Sequence, residues 1–358
     1  MGHILWFDQH EPAHESILGG KNASLGNLTR AGLPVPPGFA VSADAYRKAF
    51  ADSGLDGRID ALMAEVDPHD SVGVARIGTA VRAEVLGVEL PAWLADQLAS
   101  AYAELSARCG LDDLPVAVRS SATCEDQPDA SFAGEHDTYL WIRGADAVAE
   151  HLRRCWSSLY TDRAICYRTK MNYAEAGVAM SVGVQQMVLP RAAGVAFTLN
   201  PLDGDRSQVA IDASWGLGEA VVSGSVTPDN FLVDKVLGAI TRRTISAKTV
   251  EHRLDGDRVV ETEVEPERRD AQCLTDDEVV AVARLARRAE KHYGCPQDVE
   301  WALDPLREDG DTVVLLQSRP ETVWSRRKKV IDGVATDTYE SIVHNLLHPH
   351  SAPSTSHC

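Results

Sequence analysis

Two segments in the last quarter of the chain constrain its fold most strongly, because polar side chains recur in them at every second position. They read QDVEWALD and TVVLLQSRP. Successive side chains of a β-strand point to opposite faces, so Asp298 and Glu300 share one face of the first strand, and Gln317 and Arg319 share one face of the second. If the two strands pair, one face of a sheet carries two carboxylates, an amide and an arginine.

This polar set predicts a site for a magnesium ion that bridges phosphates, because Mg²⁺ prefers oxygen ligands and a guanidinium binds phosphate charge. The alternative is a solvated hairpin face with a salt bridge. We expect the flanking apolar side chains to be buried on the opposite face, which favours a functional site in a half-buried sheet. These side chains are Val299, Trp301, Val314 and Leu316.

An earlier segment, LPVAVRSSATCEDQPDASFAGEHDTYLWI, predicts a strand, a polar loop and a second strand. Arg119 and four small or hydroxyl residues end the first strand, Gly134 lies in the loop, and the second strand starts at Thr138. A guanidinium binds anionic oxygens through two donors, and small residues let backbone N–H groups approach a ligand closely. The segment therefore indicates a polyphosphate site.

Two further segments carry weaker signals. Lys21 follows two glycines in GGKNASLG and precedes a predicted helix, where its ammonium group and the helix N-terminus could face a phosphate. The pattern is not a Walker loop, and a solvated lysine is the alternative. In GVQQMVLP, Gln185 and Met187 share one strand face, and the backbone beyond Met187 could bind an adenine edge. From that segment alone, an ordinary core strand is the favoured reading.

The composition narrows the class of protein. The chain has 358 residues, of which 44% are hydrophobic and 25% are charged, and its net charge is −18. This is typical of a soluble globular protein and disfavours a nucleic-acid partner. The seven cysteines are scattered without a CxxC pair, so we expect reduced thiols in the cytoplasm rather than zinc ligands or disulfides. We expect neither a signal peptide nor a membrane span.

The hydrophobic patterns predict a mixed chain, with a long helical region before residue 110 and mainly strands after residue 180. Residues 15–31 read as a glycine-containing loop entering a short helix. The other predicted helices are Ala43–Asp52 with Ser42 as its N-cap, most of residues 55–110, Ala145–Asn172 and Leu274–His292.

Six motifs occur in the same order as in one known family. They are GGKNASLG, LPVPPGFAVS, AVRSSATCEDQPDASFAG, WGLGEAVVSGSVTPDNF, DVEWALD and LLQSRPETVWS. Together they resemble the N-terminal nucleotide-binding region of phosphoenolpyruvate synthase (pyruvate, water dikinase). The same region of pyruvate phosphate dikinase and of rifampin phosphotransferase is also similar. The resemblance covers roughly residues 15–325.

The resemblance implies an α/β (α+β) fold of the ATP-grasp type, in which two lobes clasp ATP and Mg²⁺. It places an N-terminal lobe at residues 1–190, with a helical insert at about 43–110, and a C-terminal lobe at 191–325. Residues 326–358 are then expected to form a charged hinge and a disordered tail.

The resemblance also implies roles for individual residues. Lys21, Arg119 and Arg319 match the catalytic phosphate-binding cations, and Glu300 and Gln317 match the Mg²⁺ ligands, with Asp298 beside them. The remaining expected nucleotide-binding residues are Gly134 and Thr138 at the phosphates and Gln185, Met187 and Val188 on the adenine side.

Members of this family transfer the β-phosphoryl group of ATP to a histidine on a swivelling domain and release AMP, while the γ-phosphoryl passes to water or phosphate. This sequence contains neither the Gly-rich phosphohistidine motif nor an acceptor domain. We therefore expect an ATP-binding subunit that works with a histidine-bearing partner in trans and a small-molecule acceptor, as in phenylphosphate synthase. A histidine of the tail is a much weaker acceptor candidate: His344, His348, His350 or His357.

Two other functions stay open from the sequence. One is a stand-alone small-molecule kinase of the same fold, which would need no protein partner. The other is a regulatory module that binds nucleotide without turnover. The presence of the full set of candidate cations and magnesium ligands disfavours that module.

Overall fold

The computed structural model describes residues 2–123, 137–170, 178–305 and 312–324. The chain divides into two compact units, Met1–Glu321 and Thr322–Cys358. All the elements named here belong to the first unit.

A five-stranded antiparallel sheet occupies the first half of the chain. Its spatial order is β1-β2-β5-β3-β4, and β5 pairs with β2 on one side and β3 on the other. The strands are β1 (Ile4–Trp6), β2 (Gly38–Val41), β3 (Val116–Ala122), β4 (Thr138–Ile142) and β5 (Met180–Gln186).

A six-stranded antiparallel sheet follows, with the spatial order β13-β12-β6-β7-β8-β9. Its strands are β6 (Ala192–Phe197), β7 (Gln208–Trp215), β8 (Asp229–Asp234), β9 (Ile240–Thr244), β12 (Gln297–Leu303) and β13 (Val313–Pro320). A separate two-stranded hairpin is formed by β10 (Val250–Asp255) and β11 (Arg258–Glu263). The mixture of helices and antiparallel sheets confirms the predicted α+β class.

Most of the helices lie where the sequence patterns placed them. They are α1 (Glu15–Arg30), α2 (Ala43–Asp52), α3 (Leu55–Met63), α4 (Ser71–Gly87), α5 (Ala92–Arg108), α6 (Ala145–Ser157), α7 (Asp162–Lys170), α8 (Glu219–Val222), α9 (Pro266–Arg269) and α10 (Asp276–Tyr293). The side chain of Ser42 accepts the N–H of Ala45, which confirms the predicted N-cap of α2. Thr275 and Glu278 form a capping box at α10, so that helix begins after its predicted start at Leu274.

Two predicted helices differ in the structure. Helix α1 already begins at Glu15, but Gly19 interrupts it with a φ of 65° and a ψ of 165°. The predicted glycine loop is therefore a break inside a longer helix. The predicted helix Ala145–Asn172 is two helices, because a 3₁₀ turn at Ser158–Tyr160 separates α6 from α7. Its last predicted residues lie outside the described part of the chain.

Each sheet has its own hydrophobic core. Helices α2 to α6 share one hydrophobic core with the five-stranded sheet, in which Phe39 and Trp156 are buried. Helix α10 covers one face of the six-stranded sheet, where Trp301 and Phe231 are buried. The predicted lobe boundary at residues 190 and 191 falls in the connection between β5 and β6 and stays a prediction, as does the predicted tail.

Two predictions from composition can be compared with the described residues. None of their helices is both long and apolar enough to span a membrane. The five cysteines among them are free thiols: Cys109, Cys155, Cys166, Cys273 and Cys295.

Candidate active site between the two sheets

The guanidinium group of Arg119 joins the two sheets. Arg119 lies on β3 of the five-stranded sheet, and its side chain reaches three acceptors on the six-stranded sheet. Its Nη2 donates to Oε2 of Glu300 and to Oε1 of Gln317, both at 3.0 Å, and its Nη1 donates to the carbonyl of Leu316 at 2.8 Å. Three of the predicted site residues, far apart in sequence, are therefore in direct contact.

The pairing of β12 with β13 creates the acceptor side of this contact. The strands pair, as predicted, and the structure shows that they run antiparallel, with Asp298 opposite Arg319 and Glu300 opposite Gln317. The register shifts beside Glu300, which leaves Leu316 as an extra residue in β13, and such a bulge turns the local backbone. The Leu316 carbonyl is thereby available to Arg119, a contact that no sequence pattern signals.

The bulge also corrects the expectation that all four flanking apolar residues share the opposite face. Val299 and Trp301 do lie there, in the core under α10. Val314 instead packs with Ala302, and Leu316 packs against the same small cluster. Ala302 is two residues from Glu300 in a regular strand, so this cluster lies on the face that carries the site.

Arg319 and Asp298 form a second pair at the end of the same strands. The Nε of Arg319 lies 3.4 Å from Oδ2 of Asp298. Burial raises the pKa of Asp298 to about 6, while the neighbouring charge of Arg319 lowers it and that of Glu321 raises it. Oδ1 of Asp298 is buried without a hydrogen-bond partner among the described residues. A cation or a proton would satisfy this oxygen.

The glycine break in α1 places Lys21 at the end of β3. A Cβ on Gly19 would lie 2.5 Å from the Ser121 carbonyl oxygen, so only glycine allows α1 to approach the strand this closely. The N–H of Asn22 donates to Oγ of Ser121 at 3.3 Å, and its side chain donates to Oγ of Ser181 at 2.9 Å. Lys21 is half-buried between these anchored neighbours.

Thr138 lies directly opposite Arg119 in the pairing of β3 with β4. Paired residues of antiparallel strands point to the same face, so the exposed Thr138 is beside the arginine. The loop that contains Gly134 lies outside the described residues. So do the four tail histidines.

Of the three residues predicted on the adenine side, two donate hydrogen bonds to backbone carbonyls and one packs in an apolar cluster. Gln185 is buried, and its amide donates to the Pro36 carbonyl at 3.2 Å. Strand β5 ends at Gln186, so Met187 lies beyond the strand and does not share its face with Gln185 as expected. The N–H of Met187 donates to the Pro115 carbonyl at 2.9 Å. Val188 alone of the three packs in the apolar cluster with Ala302.

Asp212 lies on the same sheet face as Glu300, and it was not among the predicted site residues. It pairs with Val195 on β6, which pairs in turn with Glu300 on β12. Burial raises the pKa of Asp212, and a hydrogen bond from the amide of Asn230 at 2.8 Å lowers it. The available signal was a single acidic residue inside the apolar strand QVAIDASW.

The oxygens at this face suit a metal that is only partly bound by protein. Glu300 and Gln317 present their oxygens side by side, and Asp298 has a buried oxygen without a partner. The described residues contain no cluster of three or more His, Cys, Asp or Glu side chains that would form a complete cage. Mg²⁺ is commonly held by one or two carboxylates together with substrate phosphates, so this donor set fits it.

Comparison with known proteins identifies the family of the chain. Residues 15–338 match the family model for the pyruvate phosphate dikinase AMP/ATP-binding domain. A probable phosphoenolpyruvate synthase of Methanothermobacter thermautotrophicus is 44% identical over 320 residues, covering 89% of this chain and 46% of the relative. The phosphoenolpyruvate synthase of Neisseria meningitidis serogroup B is 41% identical over 342 residues, covering 91% and 43%.

The phosphoenolpyruvate synthase of Pyrococcus furiosus is 37% identical over 382 residues, covering 96% of this chain and 46% of the relative. The chain thus spans less than half the length of these three relatives. The match in sequence extends over the strands that carry Arg119, Glu300 and Gln317. The chain belongs to the pyruvate phosphate dikinase AMP/ATP-binding domain family.

Proposed function

We propose that this chain is the ATP-binding phosphotransferase component of a dikinase-type enzyme, with an ATP-grasp site between its two sheets. The observation that carries the proposal is the contact of Arg119 with Glu300 and Gln317 across the sheets. One arginine thereby stands beside two oxygen ligands, an arrangement that can hold a polyphosphate and its metal together.

In this proposal ATP lies between the sheets, and the protein contributes position and charge rather than a covalent group. Arg119, Arg319 and Lys21 bind the phosphate oxygens. Glu300 and Gln317 would hold Mg²⁺, which neutralises phosphate charge when bound. The apolar cluster around Val188 offers a surface for the adenine ring.

The acceptor in the proposal is a histidine on a separate swivelling domain or subunit. Its ring nitrogen attacks the β-phosphorus, the bond from that phosphorus to the α–β bridging oxygen breaks, and AMP leaves. Water then takes the γ-phosphoryl group and releases phosphate, which leaves a phosphohistidine for the final small-molecule acceptor. We place this chemistry in the cytoplasm, in keeping with the free thiols of the described cysteines.

The test uses the full chain with Mg²⁺ and ATP labelled at its β-phosphorus, together with the proteins that it captures from a lysate of its source organism. The expected result is AMP formation and an acid-labile label on a histidine of one captured protein. ADP formation from the chain and a small acceptor alone would favour the stand-alone kinase. Binding without turnover in every combination would favour the regulatory module.

Substitution tests the assignment of the site. Arg319→Ala should abolish turnover while the protein still folds, because Arg319 lies half-exposed at a strand end. Arg58→Ala is a matched control, since Arg58 also pairs with one carboxylate but lies on α3 in the other half of the chain. Unchanged phosphoryl transfer in Arg319→Ala would refute the assigned site.

A further inference from the structure

A basic depression lies on the other side of the six-stranded sheet from the candidate active site. Its volume is about 870 Å³, and α10, the turn between β8 and β9 and the loop at Arg206 line it. The apolar side of α10 covers the sheet face opposite to Glu300, so its polar side faces away from the nucleotide site. The proposed phosphoryl transfer makes no use of this surface.

The charge of this depression is opposite to that of the chain. Six cations and a single carboxylate line it, whereas the whole chain has a net charge of −18. The carboxylate, Glu290, is already bound by Lys235, whose Nζ lies 2.7 Å from both of its oxygens. The remaining lining charge is therefore entirely positive.

Most of these cations have no partner within the described residues. Arg288 donates to the Gly32 carbonyl at 2.7 Å. No hydrogen bond or ion pair joins the side chain of Arg206, Arg284, Arg287 or Lys291 to another described residue. Arg284, Arg287 and Lys291 recur at three- and four-residue spacing, which places them on one exposed side of α10. Like charges held this close favour an anionic partner.

The edge of the depression is apolar. Val236 and Leu237, in the turn between β8 and β9, are 87% and 80% exposed, and Val236 also lines the depression. A small phosphorylated ligand needs only the cations. A protein partner can use both parts, because arginines and exposed apolar anchors together are typical of protein–protein interfaces.

We propose that this surface binds an acidic segment of a partner protein. Its carboxylates pair with Arg284 and Arg287, and an apolar side chain covers Val236 and Leu237. The inference does not depend on the phosphotransferase function, because no residue of the candidate active site lines the depression.

The first test measures binding of a fluorescent peptide of repeated Glu-Glu-Leu units to the full chain by anisotropy. Arg284→Glu combined with Arg287→Glu should weaken binding by roughly tenfold or more, since two attractive contacts become repulsive. The matched control is Arg253→Glu combined with Arg258→Glu, which makes the same change of charge on the exposed β10–β11 hairpin and should leave binding unchanged. Arg206→Glu, on a separate loop, repeats the test independently of the helix.

A second test separates a protein partner from a general polyanion. Val236→Ser combined with Leu237→Ser should weaken the peptide several-fold and leave binding of inorganic tripolyphosphate unchanged. The proposal is overturned if reversal of the α10 charges affects peptide binding no more than the hairpin control does. It is also overturned if tripolyphosphate or duplex DNA binds as tightly as the peptide and the serine variant loses nothing.

Discussion

Two carboxylates of the six-stranded sheet, Asp229 and Glu300, each pair with a cation, but in different surroundings. Lys248 and Asp229 lie 2.6 Å apart, and neither side chain is exposed to solvent. Arg119 and Glu300 lie 3.0 Å apart, with 16% and 30% of their side chains exposed. The first pair lies inside one half of the molecule, and the second joins the two sheets.

The hydrogen bonds around each pair explain the difference. Asp229 also accepts the backbone N–H groups of Ser246 and Cys273, and Lys248 also donates to the Ser246 carbonyl. This closed network ties β8 to the segment before α10. Arg119 and Glu300 form an open pair instead, because both side chains stay partly exposed and a ligand can exchange contacts with them. A closed pair maintains the fold, whereas an open pair can bind a substrate.

Lys248→Met should have the largest effect on stability. The substitution leaves Asp229 charged and buried, which costs about 3–5 kcal/mol in comparable sites. Urea unfolding followed by circular dichroism measures the free energy of unfolding. Lys248→Met combined with Asp229→Asn is the control and should recover part of the loss. A change below about 1 kcal/mol in the single variant would contradict the structural role.

Arg119→Ala should cause a large loss of turnover and a smaller loss of stability than Lys248→Met. Removal of one positioned charge donor typically lowers turnover about 10²–10³-fold. Glu300 stays partly solvated in the variant, so the free energy of unfolding should fall less than in Lys248→Met. Turnover with the captured partner and urea unfolding provide the two measurements. Equal losses of stability in both variants would remove the distinction between a closed and an open pair.

Glu300→Gln should raise the Mg²⁺ concentration that half-maximal turnover requires by more than the roughly 10–100-fold that loss of an outer-shell partner costs in metal affinity. The variant keeps the shape of the side chain and its contact with Arg119 but removes the charge that a divalent ion needs. A titration of turnover against Mg²⁺ at saturating ATP measures the effect. Glu104→Gln, an exposed change on α5, is the control. An unchanged Mg²⁺ requirement would exclude Glu300 as a ligand.

Asp212→Asn tests a third kind of carboxylate, which has an amide rather than a cation as its partner, and should have the smallest effect. Burial raises the pKa of Asp212, so the folded protein keeps its proton to a higher pH than the unfolded chain. Stability therefore falls as pH rises from the unfolded pKa through the folded one. The variant should lose this pH dependence and be slightly more stable at neutral pH. Thermal melts between pH 4 and 7 measure both effects, and a less stable variant at neutral pH would contradict them.

Much of the site was predictable because local patterns report which residues share a face. The two-residue period placed Glu300 beside Asp298 and Gln317 beside Arg319, and the structure confirms the pairing of their strands. Capping and amphipathic spacing likewise predicted α2 and α10. Such signals depend on neighbours within a few positions, so one sequence contains them.

The predictions that failed depend on contacts between distant segments. Gln185 and Met187 looked like one strand face, but the strand ends between them and Gln185 is bound to Pro36. The split between α6 and α7 had no glycine or proline to mark it. The roles of Gly134 and the tail histidines remain predictions.

The sequence by itself determined the α+β class, the two polar strand faces and the family, because periodicity and ordered motifs are properties of the chain. Only the tertiary structure decided that Arg119 bonds to Glu300, that Leu316 bulges to offer its carbonyl, and that Lys248 is buried with Asp229. Each of these contacts depends on how whole elements pack against one another. Packing minimises the free energy of the complete fold, so no local pattern encodes it.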